Sequence, residues 1–224
     1  MKTYVYTKTN KKTVSLVNFV HVPRTSGTAF TDAVYNTSRD TQKTRQNILL
    51  KTIDKNYIRL IKYIHNRAID YPNESLKIAF IRNPYDRFLS IFSYLKEGAK
   101  YNPIFPNGEK YMQQLLHKYK TPTDLITANA KDRTYIFDAV HFKPMVYFLY
   151  DDNKRLVVNY IGITEKAQES VLQICKLLNI KPIKMEKLNA SKSKYTLTPK
   201  DKQFIKKYYR DDFVLYNKMT NQNL

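Results

Sequence analysis

Residues 17–30 read VNFVHVPRTSGTAF. The run 17–22 is too short for an ordinary helix, is rich in β-branched side chains and is stopped by Pro23, so it predicts a buried strand that ends in a loop. Ala29, Phe30, Ala33 and Val34 then recur at helical spacing, so the loop opens a helix. Between the two, Arg24 supplies a cation, Thr25, Ser26 and Thr28 supply hydroxyls, and Gly27 lacks a side chain. A strand, a polar turn and a helix in this order make an anion cradle: Gly27 would let a ligand approach the backbone, and the N–H groups and positive dipole end of the helix would point at it. Taken alone, the same stretch also suits an ordinary strand-to-helix turn.

A second unit of the same kind follows. Residues 77–95 read KIAFIRNPYDRFLSIFSYL, a short apolar strand, a turn and a helix. Asn83 suits an N-cap and Pro84 the first helical position, after which Phe88, Ile91, Phe92 and Leu95 share one buried face. Arg82 is left at the end of the strand. Arg87 and Ser90 share a separate helical edge, so Arg82 and Ser90 could converge on a second anion. The alternative for Arg87 is a plain ion pair with Asp86 or another carboxylate.

HVPRTSGTAF resembles the 5′-phosphosulfate loop of the sulfotransferases, usually PKTGGT or PKSGTT, and IRNPYDRFLSIF resembles their 3′-phosphate motif, R-[ND]-P-x-x-R-x-x-S. Further pieces of that pattern are HFKPM with Tyr147 to Asp151, YIGITE, LNASKSKY and the Tyr-rich KYYRDDFVLYN, so the resemblance runs over most of the chain and is closest to the carbohydrate-type branch. It implies an enzyme that moves a sulfuryl group from 3′-phosphoadenosine 5′-phosphosulfate (PAPS) to an acceptor hydroxyl, most readily on a glycan, and leaves adenosine 3′,5′-bisphosphate. It also implies that Arg24, Thr25, Ser26, Gly27, Thr28 and Ala29 hold the 5′ end, that Arg82 and Ser90 hold the 3′-phosphate, and that Lys192, Lys194 and Tyr195 belong to a late loop closing over the nucleotide. The chain departs from the usual pattern in having Arg24 for lysine and Ser26-Gly27 for a doubled glycine. Tyrosylprotein sulfotransferases resemble it in the arginine.

The 224 residues, 42% of them apolar, suit a single domain, with residues 1–15 as a flexible arm or edge strand. A net charge of +20 against only 19 acidic residues requires a basic surface field that draws in anions: a nucleotide, an acidic glycan, nucleic acid or anionic lipid. The lysines are spread along the chain, as on a solvated surface, and form no dedicated nucleic-acid tail. Cys175 is the only cysteine, so an intramolecular disulfide and Cys-based zinc patterns are excluded. No apolar leader core or 18-residue apolar run is visible, which reads as a cytoplasmic enzyme of bacterial or viral type.

In chain order, residues 36–46 read as a surface loop. Tyr57, Leu60, Ile61, Ile64 and Ala68 recur at helical spacing and predict a helix with His65 near its end. Residues 98–108 read as a loop, Tyr111 to Tyr119 as a helix, and Thr121-Pro122 as the start of a short one. Residues 145–150 and 155–163 are strand-like around a turn at Asp151-Asp152-Asn153. Thr164 is the expected cap of a helix whose apolar face is Ala167, Val171, Leu172, Cys175 and Leu178, and Thr198-Pro199 opens a last helix with Phe204, Ile205 and Tyr208 inward. The alternation of strands and helices is α/β, and the resemblance implies a central, mainly parallel sheet flanked by helices, similar to P-loop nucleotide-binding folds.

In-line sulfuryl transfer needs alignment, charge neutralisation and a base for the acceptor proton, and needs no metal. Arg24 cannot give up its proton, so it would act as a fixed cation beside the leaving phosphate. His65, in YIHNRA, is the candidate base, resembling the K-H-A-T-A pattern of bacterial relatives, and a histidine titrates near ~6.5 without tuning. His65 as a helix-end histidine is the plain alternative. His141 is a second candidate, better suited to a structural turn, with Glu165 and Glu74 behind it. A P-loop kinase or nucleotidase is a second reading, against which stands the absence of G-x-x-x-x-G-K-[ST], the motif whose lysine reaches a γ-phosphate and whose hydroxyl meets Mg²⁺. A non-catalytic basic module for acidic polysaccharide or nucleic acid is the remaining alternative.

Overall fold

The structure, a computed structural model, describes residues 14–37, 47–51, 57–64, 66–73, 75–97, 107–185 and 193–221. His65, Glu74 and Lys192 lie outside the described residues, as do residues 1–13 of the arm expected over 1–15 and most of the loops expected at 36–46 and 98–108. The last two residues of that expected arm, Val14 and Ser15, belong to the first strand and pair with Tyr57 and Ile58. By contacts the chain forms two compact units, residues 1–81 with 145–189, and residues 82–144 with 190–222.

The first unit is built on a five-stranded sheet: β1 (Val14–His21), β2 (Asn47–Lys51), β3 (Tyr57–Ile64), β4 (Leu76–Ile81) and β5 (Tyr160–Ile163) in the order β2-β3-β1-β4-β5. β3, β1, β4 and β5 run parallel and β2 is antiparallel at the edge. This is the mainly parallel α/β sheet that the sequence predicts. Val17, Asn18, Phe19 and Val20 of β1 and Ile78 to Ile81 of β4 are all buried, as befits central strands covered on both faces. On one face, Val17, Phe19, Ile78 and Phe80 meet Phe30, Ala33 and Val34 of α1 (Gly27–Thr37) and Val171, Ile174, Cys175 and Leu178 of α7 (Ala167–Leu178). α6 (Met145–Leu149) also packs against β1.

Four local expectations are corrected here. Residues 57–64 form β3 and no helix: eight residues of Ile- and Tyr-rich sequence pair residue by residue with β1, and that ladder outweighs a helical spacing that isoleucines satisfy by chance. Residues 145–149 are the helix α6, and only 160–163 of the second expected strand joins the sheet. Tyr150 and Leu156 still form an antiparallel bridge, closed by a turn in which Asp151 Oδ1 accepts from the Asn153 and Arg155 N–H groups. Thr164 does not cap α7: residues Thr164–Lys166 form a 3-10 turn and Lys166 precedes the helix. Leu172 is exposed, and Ile174 takes the buried place on α7.

The second unit is helical: α2 (Pro84–Glu97), α3 (Asn107–His117), α4 (Pro122–Ile126), α5 (Ala130–Asp138), α8 (Pro199–Tyr208) and α9 (Arg210–Asn221). Its core joins Phe88, Ile91, Phe92 and Leu95 of α2 to Leu116, Leu125, Ile136, Phe142, Ile205 and Tyr209. Proline stands in the first turn of α4 and of α8, each closed by a capping box, Thr121 with Asp124 and Thr198 with Asp201. The expected last helix is two helices, α8 and α9, and Tyr208, expected inward, is exposed while Tyr209 between the two helices is buried.

Candidate active site

At the carboxyl end of β1 the chain turns through Val22 to Ser26 and enters α1. Arg24 and Ser26 have φ values of 64° and 66°, the left-handed region that side chains other than glycine seldom occupy. Such residues collect at ligand clamps, and backbone turned this way aims successive N–H groups to one side as an anion-binding concavity. The Ser26 carbonyl accepts the first helical bond, from the Phe30 N–H at 3.0 Å. The first turn of α1 carries no acidic side chain, so its positive end is uncompensated.

Thr28 is exposed at this end, and Arg24, Ser26 and Ala29 are half-buried. Thr25 is fully buried, and its hydroxyl donates to the Val22 carbonyl at 2.9 Å. Its single proton is spent there, so Thr25 can offer an anion only its main chain. Gly27 also differs from the sequence expectation. The space a side chain would take is filled by the His21 ring, so its missing Cβ admits protein rather than ligand.

Around β1 the sheet order reverses: the chain leaves β1 toward β3 on one side, while β4 leads to β5 on the other. In open α/β sheets ligands bind outside the carboxyl ends of the strands at such a switch point. Loop 22–26 stands at that end of β1, and Arg82 is the residue that follows Ile81 of β4.

In the second unit, Asn83 caps α2 as expected. Its Oδ1 accepts from the Tyr85 N–H at 3.0 Å and its carbonyl from the Arg87 N–H at 2.9 Å. Arg82 and Ser90 are half-buried. Arg87 is buried to 1% exposure and is structural: Nη2 donates to the His141 and Lys143 carbonyls at 3.0 and 2.9 Å, and Nη1 lies 3.9 Å from Asp212 Oδ2. The guanidinium also sits 5.9 Å from the Tyr209 ring. The carboxylate partner is thus Asp212, which no local sequence signal marks, and Asp86 is exposed. Burial pushes the Arg87 guanidinium below its ordinary range, and pushes the Tyr209 phenol up. His141 is buried in this turn, with its carbonyl holding Arg87.

Residues 193–195 of the late loop lie along α2. Ser193 Oγ meets Ser93 Oγ at 2.9 Å, Lys194 Nζ pairs with Glu97 at 2.6 Å, and the Tyr195 hydroxyl donates to the same carboxylate at 3.3 Å. The Tyr195 ring stands edge-on to Phe92 at 4.8 Å. Ser90, Ser93 and Glu97 recur at helical spacing on one side of α2, so Ser90 shares a helix face with the residues that meet Ser193, Lys194 and Tyr195. The Glu97 hydrogen bond raises the Lys194 ammonium above its ordinary range.

A mainly parallel sheet with a left-handed strand-to-helix turn at its switch point defines a nucleotide-type α/β fold. The sequence pattern of the Sulfotransferase family matches residues 9–218, through both units, and the chain belongs to that family. It is therefore a sulfotransferase, an enzyme that transfers a sulfuryl group to a hydroxyl-bearing acceptor, and PAPS is the general donor of the family. No curated protein matches the chain. Among the described residues, no helix is long and apolar enough to cross a membrane.

Proposed function

We propose that this enzyme takes the sulfuryl group from PAPS and places it on a carbohydrate hydroxyl. The observation that carries the reading is the left-handed turn at Arg24 and Ser26, opening a helix with no acidic first turn at the switch point of the sheet. In this reading the main chain of Thr25, Ser26, Gly27, Thr28 and Ala29 cradles the 5′-phosphosulfate, and Arg24 neutralises charge on the bridging oxygen. Arg82 and Ser90 hold the 3′-phosphate, and Lys192, Lys194 and Tyr195 contribute from the late nucleotide-binding loop. Bound PAPS would supply an activated sulfuryl group whose leaving phosphate needs a cation more than a proton. His65, in the segment that leaves β3, takes the acceptor proton as the hydroxyl oxygen attacks in line. The family match through both units supports reading residues 1–224 as one catalytic domain.

The test is transfer from labelled PAPS to a panel of oligosaccharides, tyrosyl peptides and small alcohols. Label in a sugar hydroxyl, reduced about 10²–10⁴-fold in His65→Ala, is the expected result. Label in the peptide alone overturns the carbohydrate acceptor, and an unchanged rate in His65→Ala overturns the base.

A further inference from the structure

The β3 side of the first unit carries a cation and an aromatic ring that the donor cradle does not use. β3 runs parallel to β1, with Ile64 opposite His21, so Arg67 leaves the sheet at the same edge as loop 22–26. Neighbouring strands are about 4.8 Å apart. A donor seated at the switch point covers the ends of β1 and β4, which leaves the β3 end as the approach for the acceptor. In-line attack needs the acceptor on the far side of sulfur from the leaving phosphate.

Arg67 is fixed in place there. Nε donates to the Tyr147 carbonyl at 3.0 Å, and Nη2 donates to the Tyr150 carbonyl at 3.2 Å and to Asp152 Oδ1 at 2.9 Å. The guanidinium carbon lies 5.1 Å from the centre of the Tyr147 ring. Among the described residues, the two N–H groups of Nη1 have no partner, and the Arg67 side chain is 23% exposed. Tyr147 is 42% exposed. A guanidinium edge held ready beside an exposed ring suits a ligand with an anionic group and a flat apolar face.

We propose that Arg67 and Tyr147 form an acceptor-recognition subsite, in which Nη1 of Arg67 holds a carboxylate or sulfate of the acceptor sugar and the Tyr147 ring covers the sugar face. This rests on the sulfotransferase reading for the word acceptor, and it makes Arg67 a determinant of specificity for acidic saccharides. Asp152, whose side chain is 80% exposed, shares the guanidinium and weakens the site's attraction for anions.

The experiment compares a hexuronate oligosaccharide, its carboxyl-reduced neutral form and an O-sulfated neutral form. Each is titrated by calorimetry, and each is tested as acceptor with labelled PAPS, on the unaltered enzyme, Arg67→Gln and Asp152→Asn. The unaltered enzyme is expected to prefer an anionic form, and the carboxylate and sulfate arms show which anion is read. Arg67→Gln should lower the anionic-to-neutral ratio of kcat/KM about tenfold, with the KM for PAPS unchanged. Asp152→Asn should raise that ratio. An Arg67 that only braces residues 147–152 would lower thermal stability and leave the ratio as it was, which overturns the proposal. If Arg67→Gln does not fold, an unchanged ratio in Asp152→Asn overturns it alone. If no form accepts sulfuryl but calorimetry shows the Arg67-dependent preference, the function proposed above fails and the anion subsite stands.

Discussion

Gly27 and His21 occupy one space: a Cβ on Gly27 would lie 2.2 Å from His21 Cδ2 and 2.7 Å from His21 Nε2. No glycine among the described residues has a positive φ, so Gly27 is needed for close approach and not for backbone freedom. The left-handed backbone of loop 22–26 is carried by Arg24 and Ser26.

Gly27→Ala should therefore push the start of α1 and the imidazole apart. Overpacking of this kind costs about 1–3 kcal/mol, read as a fall in the denaturant midpoint. Adding His21→Ala opens the space the new methyl group needs, so the double variant should recover part of the loss. Additive effects of the two substitutions would contradict the contact.

The Arg87 and Asp212 side chains are 1% and 0% exposed, so removal of either leaves a charge in the core. Arg87→Met is expected to cost about 3–5 kcal/mol by denaturant unfolding. The double variant with Asp212→Leu should cost less than the two singles summed. A loss in Arg87→Met below about 1 kcal/mol would contradict the structural role.

Tyr119 and Asp132 give a pH signature. The Tyr119 hydroxyl donates to Asp132 Oδ2 at 2.7 Å, and this bond is the main cause holding the Asp132 carboxyl below its ordinary value. Burial, then the same bond, pushes the Tyr119 phenol up to about 12. A carboxyl depressed in the folded state contributes stability above its unfolded pKa, about 3.9, and loses it as pH falls through the lowered folded value. A phenol raised in the folded state contributes below about pH 10 and loses that as pH rises toward 12. Tyr119→Phe should flatten both limbs of the stability profile, measured by thermal unfolding. Limbs unchanged in Tyr119→Phe would contradict the pairing.

Much of the fold was legible where one signal had one reading. Val17 to Val22 with Pro23, and Asn83-Pro84 before Phe88 and Ile91, each point to a single local structure, and both strand-to-helix units form, with β1 running from Val14 to His21. β3 is not legible locally because Tyr57 to Ile64 satisfies two periods and only pairing with β1 selects between them. α6 resembles a strand in sequence because residues 145–149 are apolar throughout and carry no period at all. In the site, the cation and the hydroxyls of loop 24–28 could be read from residue type. Thr25 turning its proton to Val22, Gly27 making room for His21 and Arg87 finding Asp212 depend on tertiary neighbours that no local window contains.

The most direct measurement of the central claim is the thermal shift given by adenosine 3′,5′-bisphosphate, set against ADP and ATP and repeated on Arg82→Ala. A ligand at about 100 times its Kd stabilises by ~2.7 kcal/mol, which for a chain of this size raises Tm by roughly 5–10 °C. The account predicts a rise of that order with the bisphosphate alone, abolished in Arg82→Ala. No rise, or an equal rise with ATP, would contradict it.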